Sequence, residues 1–187
     1  MLYLHGFRSS PASFKARRLQ QYFEQRGEPE RFICPQLPPS PREALALASQ
    51  LVSEQAADAF AVIGSSLGGF YATAIAEATG CRAVLLNPAV WPARDLAKYI
   101  GEQSAWHSDD RFFFQPAFID ELQTLTVEQI TLPERYLLLA ATGDEVLDWR
   151  EMTARYEGAI QRVIEGGDHS LSDFEQYLDE VVSFCEQ

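Results

Sequence analysis

Short apolar runs alternate along this chain with stretches whose apolar residues recur at helical spacing. The runs that are typical of β-strands cover residues 2–4, 31–34, 60–64, 83–87, 135–142 and 161–166. Strands that alternate with helices form βαβ units, which bring the strands into a parallel sheet with helices on both faces. The run at 135–142 is almost continuously apolar, as expected of a strand that is covered on both faces. The sequence therefore predicts an α/β fold with a parallel sheet of about six strands.

One long stretch, residues 91–132, departs from this alternation. It is irregular in pattern and rich in aromatic residues, among them Trp91 and Trp106. We interpret it as a short, mostly helical cap over one end of the sheet. Its aromatic side chains then form either a satellite core or an apolar cover over a binding pocket. A length of 187 residues suits a single domain, so we expect residues 1–187 to form one.

The net charge of −12 bears on which partners this chain can have. An acidic protein repels phosphate backbones and anionic lipid surfaces, so we expect neither nucleic acid nor a membrane as a partner. No apolar run reaches the length of a transmembrane helix, and the first residues lack the pattern of a signal peptide. The three cysteines show no metal-binding spacing. We therefore expect a cytoplasmic protein without a metal or cofactor.

The strongest chemical signal is the segment Gly64-Ser65-Ser66-Leu67-Gly68, which fits the pattern G-x-S-x-G. It lies between a predicted strand and a predicted helix, which is the context this motif requires. The glycines give room for a sharp turn, and the helix start directs N–H groups to where negative charge develops. Ser66, at the centre, is the predicted nucleophile, with Ser65 the weaker candidate. The structural alternative is a glycine-rich turn that only packs the helix on the sheet.

A serine hydroxyl needs a base to become nucleophilic at neutral pH. On scaffolds that carry this motif, the nucleophile precedes the acid, and the acid precedes the histidine. This order excludes His5, and His107 lies in the irregular stretch. His169 follows the last predicted strand, and loops that follow parallel strands meet at one edge of the sheet. We therefore predict His169 as the base.

The acid should also follow a strand. Asp144 comes directly after the apolar run at 135–142 and is the predicted acid, which would orient the imidazole. Asp148 is its main rival, although it also has a simple explanation as the N-cap of the next helix. Glu145 is a weaker alternative, and Asn87 excludes an acid after the fourth predicted strand.

The segment Leu4-His5-Gly6-Phe7 follows the first predicted strand and carries an HG turn. We expect the backbone N–H groups of Phe7 and Leu67 to form an oxyanion hole. His5 is expected to brace this loop. Arg8 and Trp91 are candidates for substrate binding, although a solvated arginine and a satellite core are the simpler interpretations.

Several of these segments lie within longer motifs that occur in order along the chain. The motifs are LYLHGF (2–7), PQLPPSP (35–41), GSSLGGFYAT (64–73), NPAV (87–90), TGDEVLD (142–148) and EGGDH (165–169). Together they resemble the YqiA-like small bacterial esterases, a compact branch of the α/β-hydrolases. The resemblance implies an esterase for short acyl esters, and it implies that Ser66, Asp144 and His169 form a catalytic triad.

The residues and the resemblance together predict a serine esterase that acts on a small acyl ester through an acyl-enzyme. An acyl-CoA thioesterase with the same triad is one alternative, because the triad accepts either leaving group. A hydrolase that cleaves C–C or C–N bonds is a second. A binding protein on a hydrolase fold is the third, and its expected mark would be a missing member of the triad.

Overall fold

The computed structural model describes residues 1–53, 56, 59–106 and 111–187. Their strands are β1 (Leu2–Leu4), β2 (Ala61–Ser65), β3 (Arg82–Leu86), β4 (Gly101–Ser104), β5 (Arg111–Phe114), β6 (Tyr136–Ala141) and β7 (Ile160–Ile164). Their α-helices are α1 (Phe14–Gln25), α2 (Pro41–Val52), α3 (Leu67–Thr79), α4 (Pro92–Leu96), α5 (Ala117–Thr124), α6 (Trp149–Arg155) and α7 (Leu178–Cys185). One parallel sheet contains β1, β2, β3, β6 and β7 in that spatial order, while β4 and β5 pair antiparallel. The predicted parallel α/β fold is confirmed.

The sixth strand predicted at residues 31–34 is reduced to a single bridge. Ile33 pairs in parallel with Leu2, and the Tyr3 amide donates to the Ile33 carbonyl at 2.8 Å. Pro35 follows closely, and proline has no N–H group to continue a ladder. The prediction of about six strands is therefore corrected to five strands and a one-residue extension at the β1 edge.

The helices cover both faces of the parallel sheet, as predicted. In β6, Leu137 and Leu139 pack in a core with α1 and α7, whereas Leu138 and Ala140 pack in a core with α2, α3 and α6. This division follows from the two-residue period of a strand, which sends successive side chains to opposite faces. Each leucine buried in this way stabilises the fold by roughly 1.5–3 kcal/mol. Within the described residues, no helix combines the length and apolar character that crossing a bilayer requires.

The stretch at 91–132 is mixed in structure rather than mostly helical. It contains α4 and α5 but also the antiparallel pair of β4 and β5. Phe114 is fully buried and Phe112 packs against the same core, while Phe113 is 55% exposed. This alternation is the period of a strand that is covered on one face, which the prediction of a helical cap overlooked.

Candidate active site

Ser66 occupies the turn between β2 and α3. Its backbone adopts φ 54° and ψ −121°, a conformation that costs about 1–3 kcal/mol for a residue other than glycine. Three backbone hydrogen bonds hold it there: the Ser66 amide donates to the Leu86 carbonyl at 3.0 Å, and the amides of Gly69 and Ala89 both donate to the Ser66 carbonyl at 2.9 Å. The neighbouring Ser65 ends β2 and is only 7% exposed. The strain and its restraints are therefore concentrated on the serine at the centre of the motif.

The glycines of the motif allow α3 to approach the sheet closely. A Cβ on Gly68 would lie 1.9 Å from the carbonyl oxygen of Leu4, and one on Gly64 would lie 2.2 Å from that of Gly68. Both distances are far below van der Waals contact, so neither position accepts a side chain without movement of the backbone. Gly6 of the HG turn is also close, because a Cβ there would lie 3.1 Å from the Cβ of Ser66.

The structure brings Ser66, His169 and Asp144 into one chain of hydrogen bonds. The Ser66 Oγ lies 3.0 Å from His169 Nε2, and His169 Nδ1 lies 2.8 Å from Asp144 Oδ2. An ionised carboxylate can only accept, so Nδ1 carries the hydrogen and donates it to Asp144. In this tautomer the lone pair of His169 Nε2 faces the serine hydroxyl, which donates a hydrogen bond to it. The His169 side chain is 11% exposed and that of Asp144 is fully buried.

The Asp144 carboxylate is fixed from both sides. Its Oδ1 accepts hydrogen bonds from the backbone amides of Val146 and Leu147, each at 2.8 Å, while Oδ2 faces the imidazole. The rival Asp148 instead caps α6, where its Oδ1 accepts from the Arg150 amide at 2.9 Å. Between the two predicted acids, the geometry thus connects Asp144 to the histidine.

The other two histidines of the sequence are His5 and His107. His5 is buried, its Nε2 accepts from the Leu37 amide at 3.1 Å, and its Nδ1 lies 3.0 Å from the Gly6 carbonyl. These contacts agree with the expectation that it braces the HG loop. The prediction concerning His107 lies outside the described residues.

Two residues that support the His169 loop had no such role in the sequence analysis. Asn87 is fully buried at the end of β3 with φ 42°, and its Nδ2 donates to the carbonyls of Asp168 and His169 at 3.0 and 3.2 Å. Its Oδ1 accepts from the Ala141 amide at 2.8 Å, which ties the loop to the end of β6. Glu145 accepts from the His169 amide at 3.0 Å. Asparagine tolerates positive φ better than most residues, but φ cannot be read from the sequence, so no sequence signal identified this role of Asn87.

The two predicted oxyanion-hole residues lie near Ser66: Leu67 follows it directly, and Phe7 follows Gly6, which approaches the Ser66 Cβ. Leu67 is the first residue of α3, and the first N–H groups of a helix have no intrahelical partner. In the part of the chain that is described, no backbone carbonyl outside the regular elements accepts from the Phe7 amide. The oxyanion hole formed by these two amides stays a prediction.

Two cavities meet at this hydrogen-bonded chain. The larger, of about 330 Å³, opens towards α1, and the smaller, of about 120 Å³, opens towards α4. Phe7, Ser66, Trp106 and His169 line both cavities. Five serines are among the residues that line the larger one: Ser9, Ser13, Ser65, Ser170 and Ser172. The smaller one is lined by apolar side chains, among them Leu67, Ala89, Pro92, Leu96, Val146 and Leu147, and also by the charged residues Arg8, Asp95 and Lys98.

Of the two predicted substrate-binding residues, only Arg8 lines one of these two cavities. Its Nε donates to the Ser104 carbonyl at 2.7 Å, and its guanidinium lies 5.5 Å from the centre of the Trp106 ring. The Trp106 amide in turn donates to the Arg8 carbonyl at 2.9 Å. Trp91 is 49% exposed and lines neither cavity. The tryptophan beside the serine is Trp106, which was predicted only as one of the aromatic residues of the cap.

Lys15, to which the sequence analysis gave no role, lines the larger cavity. It is only 8% exposed, and its Nζ donates to the carbonyl of Ser170, the residue after His169. Burial lowers the pKa of Lys15 to about 8, against the opposing effect of the Asp168 and Asp144 carboxylates. Lysines are rarely buried, so a lysine at the start of an amphipathic helix gave no reason to expect this position.

Comparison with known proteins identifies one family and many related folds. The sequence profile described as "Uncharacterised protein family (UPF0227)" matches residues 1–186. A protein from Agrobacterium vitis S4 is similar in structure, with a TM-score of 0.76 and 16% identity over 99% of this chain and 87% of that one. Alpha/beta hydrolase domain-containing protein 10 from mouse has a TM-score of 0.71 and 17% identity, over 97% and 88% of the two chains. Est1E from Butyrivibrio proteoclasticus, with ferulic acid bound, has a TM-score of 0.68 and 15% identity, over 98% and 86%. The fold is that of the α/β-hydrolases.

Proposed function

Because this chain belongs to the YqiA-like family, UPF0227, and joins Ser66, His169 and Asp144 by hydrogen bonds, we propose that it is a serine esterase for small acyl esters. The single observation that carries the proposal is this chain of hydrogen bonds at 3.0 and 2.8 Å. The neighbours agree with it, since one is named an alpha/beta hydrolase domain-containing protein and another was crystallised with ferulic acid.

In the proposed reaction, the Ser66 oxygen attacks the ester carbonyl while His169 Nε2 accepts the hydroxyl proton. The buried carboxylate of Asp144 stabilises the imidazolium that forms. His169 then gives the proton to the leaving alcohol, and an acyl group remains on Ser66. Water repeats the sequence: His169 accepts a proton from it, the hydroxide oxygen attacks the acyl carbon, and the proton returns to Ser66 as the acid leaves.

The negative charge that develops on the carbonyl oxygen needs donors that are already in position. The Phe7 and Leu67 amides supply them in this proposal, and one such donor is typically worth about 10²–10³ in turnover. The strained turn at Ser66 keeps the hydroxyl next to the first amide of α3. The smaller cavity, of about 120 Å³, then receives the acyl chain against its apolar side chains. An engineered apolar cavity of about 150 Å³ holds benzene, so the space suits an acyl chain of a few carbons.

Labelling with a fluorophosphonate probe tests the proposal directly. The probe phosphonylates an activated serine, and mass spectrometry of a digest identifies the modified residue. We expect the adduct on Ser66, its loss in Ser66→Ala, and its retention in Ser65→Ala. Hydrolysis of aryl butyrate should fall about 10⁶-fold in Ser66→Ala, on the precedent of other triad enzymes. Folded protein that hydrolyses the ester equally well without the Ser66 hydroxyl would remove this residue from the mechanism.

A further inference from the structure

The larger cavity beside Ser66 is bordered by a buried ammonium group whose charge the protein leaves without a direct ion pair. Lys15 Nζ donates to the Ser170 carbonyl, but an ammonium has three hydrogens to donate. Across the described ranges, no carboxylate oxygen lies within salt-bridge distance of Lys15. A buried charge of this kind requires further polar partners, which the cavity can supply.

The nearest carboxylates already have donors of their own. Asp144 accepts from His169 and from two backbone amides, as described above. Asp168 accepts from the amide and the hydroxyl of Ser172, at 2.9 and 2.6 Å. Both act on Lys15 through space, but neither forms a direct bond with it. Lys15 lines the cavity and has one hydrogen bond among the described residues, so the proposal below assigns its remaining donors to an oxygen that enters the cavity.

From this arrangement we propose that Lys15 selects substrates whose leaving group carries a carboxylate. The inference rests on the proposed esterase function and names the substrate class for the same site. In this proposal the acyl chain enters the smaller cavity, and the alcohol part of the ester lies in the larger one, which Lys15 and several serines line. A carboxylate there accepts the remaining hydrogen bonds of Lys15 and balances its charge, whereas a neutral group leaves these hydrogen bonds to water.

A matched pair of esters tests this selectivity: 3-(butyryloxy)benzoate and 3-(butyryloxy)benzamide, which share shape and acyl chain but differ in charge. We expect kcat/KM to favour the benzoate by about tenfold or more, since hydrogen bonds to charged groups exceed neutral ones by about this factor. Lys15→Met should bring the ratio close to one. Arg17→Met removes the same charge from an exposed position two residues along α1, and it should retain the wild-type ratio.

The ratio also separates selectivity from a purely structural role of Lys15. If the lysine only holds the Ser170 carbonyl, then Lys15→Met lowers kcat/KM for both esters by the same factor. An unchanged ratio in folded Lys15→Met, or a wild-type enzyme without preference for the benzoate, overturns the proposal.

The pH dependence of the wild-type ratio gives a test that needs no variant. With the pKa of Lys15 lowered to about 8 by burial, its charge is present below pH 8 and is lost above it. The preference for the benzoate should therefore be full near neutral pH and fall towards one as the pH rises through about 8. His169, Asp144, Asp168 and Tyr3 also face this region. Hydrogen bonds from Ser172 keep the pKa of Asp168 below its usual value, and burial keeps that of Tyr3 above its usual value, so neither of these two changes charge between pH 6.5 and about 9.5. A ratio that stays constant between pH 6.5 and about 9.5 contradicts the proposal.

Binding to the Ser66→Ala variant distinguishes failure of this proposal from failure of the esterase proposal. The probes are the stable amides 3-butyramidobenzoate and 3-butyramidobenzamide, measured by calorimetry with and without Lys15→Met. Tighter binding of the benzoate that depends on Lys15 supports the selectivity even if no ester is hydrolysed. Equal affinity for the two amides refutes the selectivity even if Ser66 proves to be the nucleophile.

Discussion

Replacing Asp144 by asparagine should stop catalysis by reversing the tautomer of His169. The carboxylate accepts three hydrogen bonds, two of them at Oδ1 from the amides of Val146 and Leu147. An asparagine satisfies these two donors only with its carbonyl oxygen, so its NH₂ group must occupy the Oδ2 position, 2.8 Å from His169 Nδ1. There the NH₂ group donates to Nδ1, the ring hydrogen moves to Nε2, and His169 can no longer accept a proton from Ser66.

The size of the effect follows from the cost of the opposite amide orientation. Turning the NH₂ group towards Val146 and Leu147 leaves two donors without acceptors, at about 1–3 kcal/mol each. The productive orientation is then disfavoured by roughly 2–6 kcal/mol, which corresponds to a population of about one in 30 to one in 10⁴. Loss of the charge that stabilises the imidazolium adds to this, so we expect kcat to fall about 10³–10⁴-fold, in line with the corresponding change in other triads.

Steady-state hydrolysis of an aryl butyrate by purified Asp144→Asn measures the loss, with circular dichroism as the check on folding. Asp148→Asn is the matched control, because asparagine caps a helix as well as aspartate does. A loss of less than about tenfold in folded Asp144→Asn, or an equal loss in Asp148→Asn, would refute the assignment of Asp144 and the tautomer argument.

Two further substitutions test the supports of the site and of the fold. Asn87→Ala removes three hydrogen bonds from a fully buried position, so the free energy of unfolding in urea should fall by about 2–4 kcal/mol. The kcat should also fall, because the His169 loop loses its hydrogen-bonded connection to β6. Unchanged stability and kcat would contradict this role. Burial opposes ionisation of Glu77, but hydrogen bonds from Thr131 and Tyr136 outweigh it and keep the pKa of Glu77 below its usual value of 4.5. The stability that this ionised group contributes is therefore complete above pH 4.5 and is lost as the pH falls below it. At pH 7, Glu77→Gln should unfold at a lower urea concentration than the wild type. This difference in urea midpoint should narrow below pH 4.5 and stay constant above it.

The sequence was sufficient to predict the parallel sheet and the three residues that the hydrogen bonds connect. Both predictions depend on patterns that are local in the chain: apolar runs at strand spacing, and a polar residue directly after a run. Parallel strands end at one edge whatever their exact lengths, so Ser66, Asp144 and His169 converge even though the strand bounds were only approximate. The choice of Asp144 over Asp148 had the same basis, because a helix start explains one aspartate and not the other.

The residues that the sequence did not reveal act through contacts between distant segments. Asn87 bonds to a loop 81 and 82 residues further along, and Lys15 bonds to a carbonyl 155 residues away. No local pattern encodes such pairs, because an asparagine after a strand and a lysine on a helix are ordinary in isolation. The antiparallel pair in the cap was missed for a different reason. Its strands have only four residues each, and the alternation of Phe112, Phe113 and Phe114 looks like one continuous aromatic run until burial separates the middle ring from its neighbours.

The supports of His169 also explain why its loop needs so many contacts. The residues before it include Gly166 and Gly167, both with positive φ, and glycine loses more conformational freedom on folding than any other residue. A loop of this composition does not hold an imidazole at 3.0 Å from a hydroxyl by itself. The bonds from Asn87, Glu145 and Lys15 come from the ends of β3 and β6 and from α1, so three separately packed elements restrain one short loop. Because two of these three residues carry charge close to the imidazole, the contacts that position His169 also set the electrostatic field in which it would accept a proton.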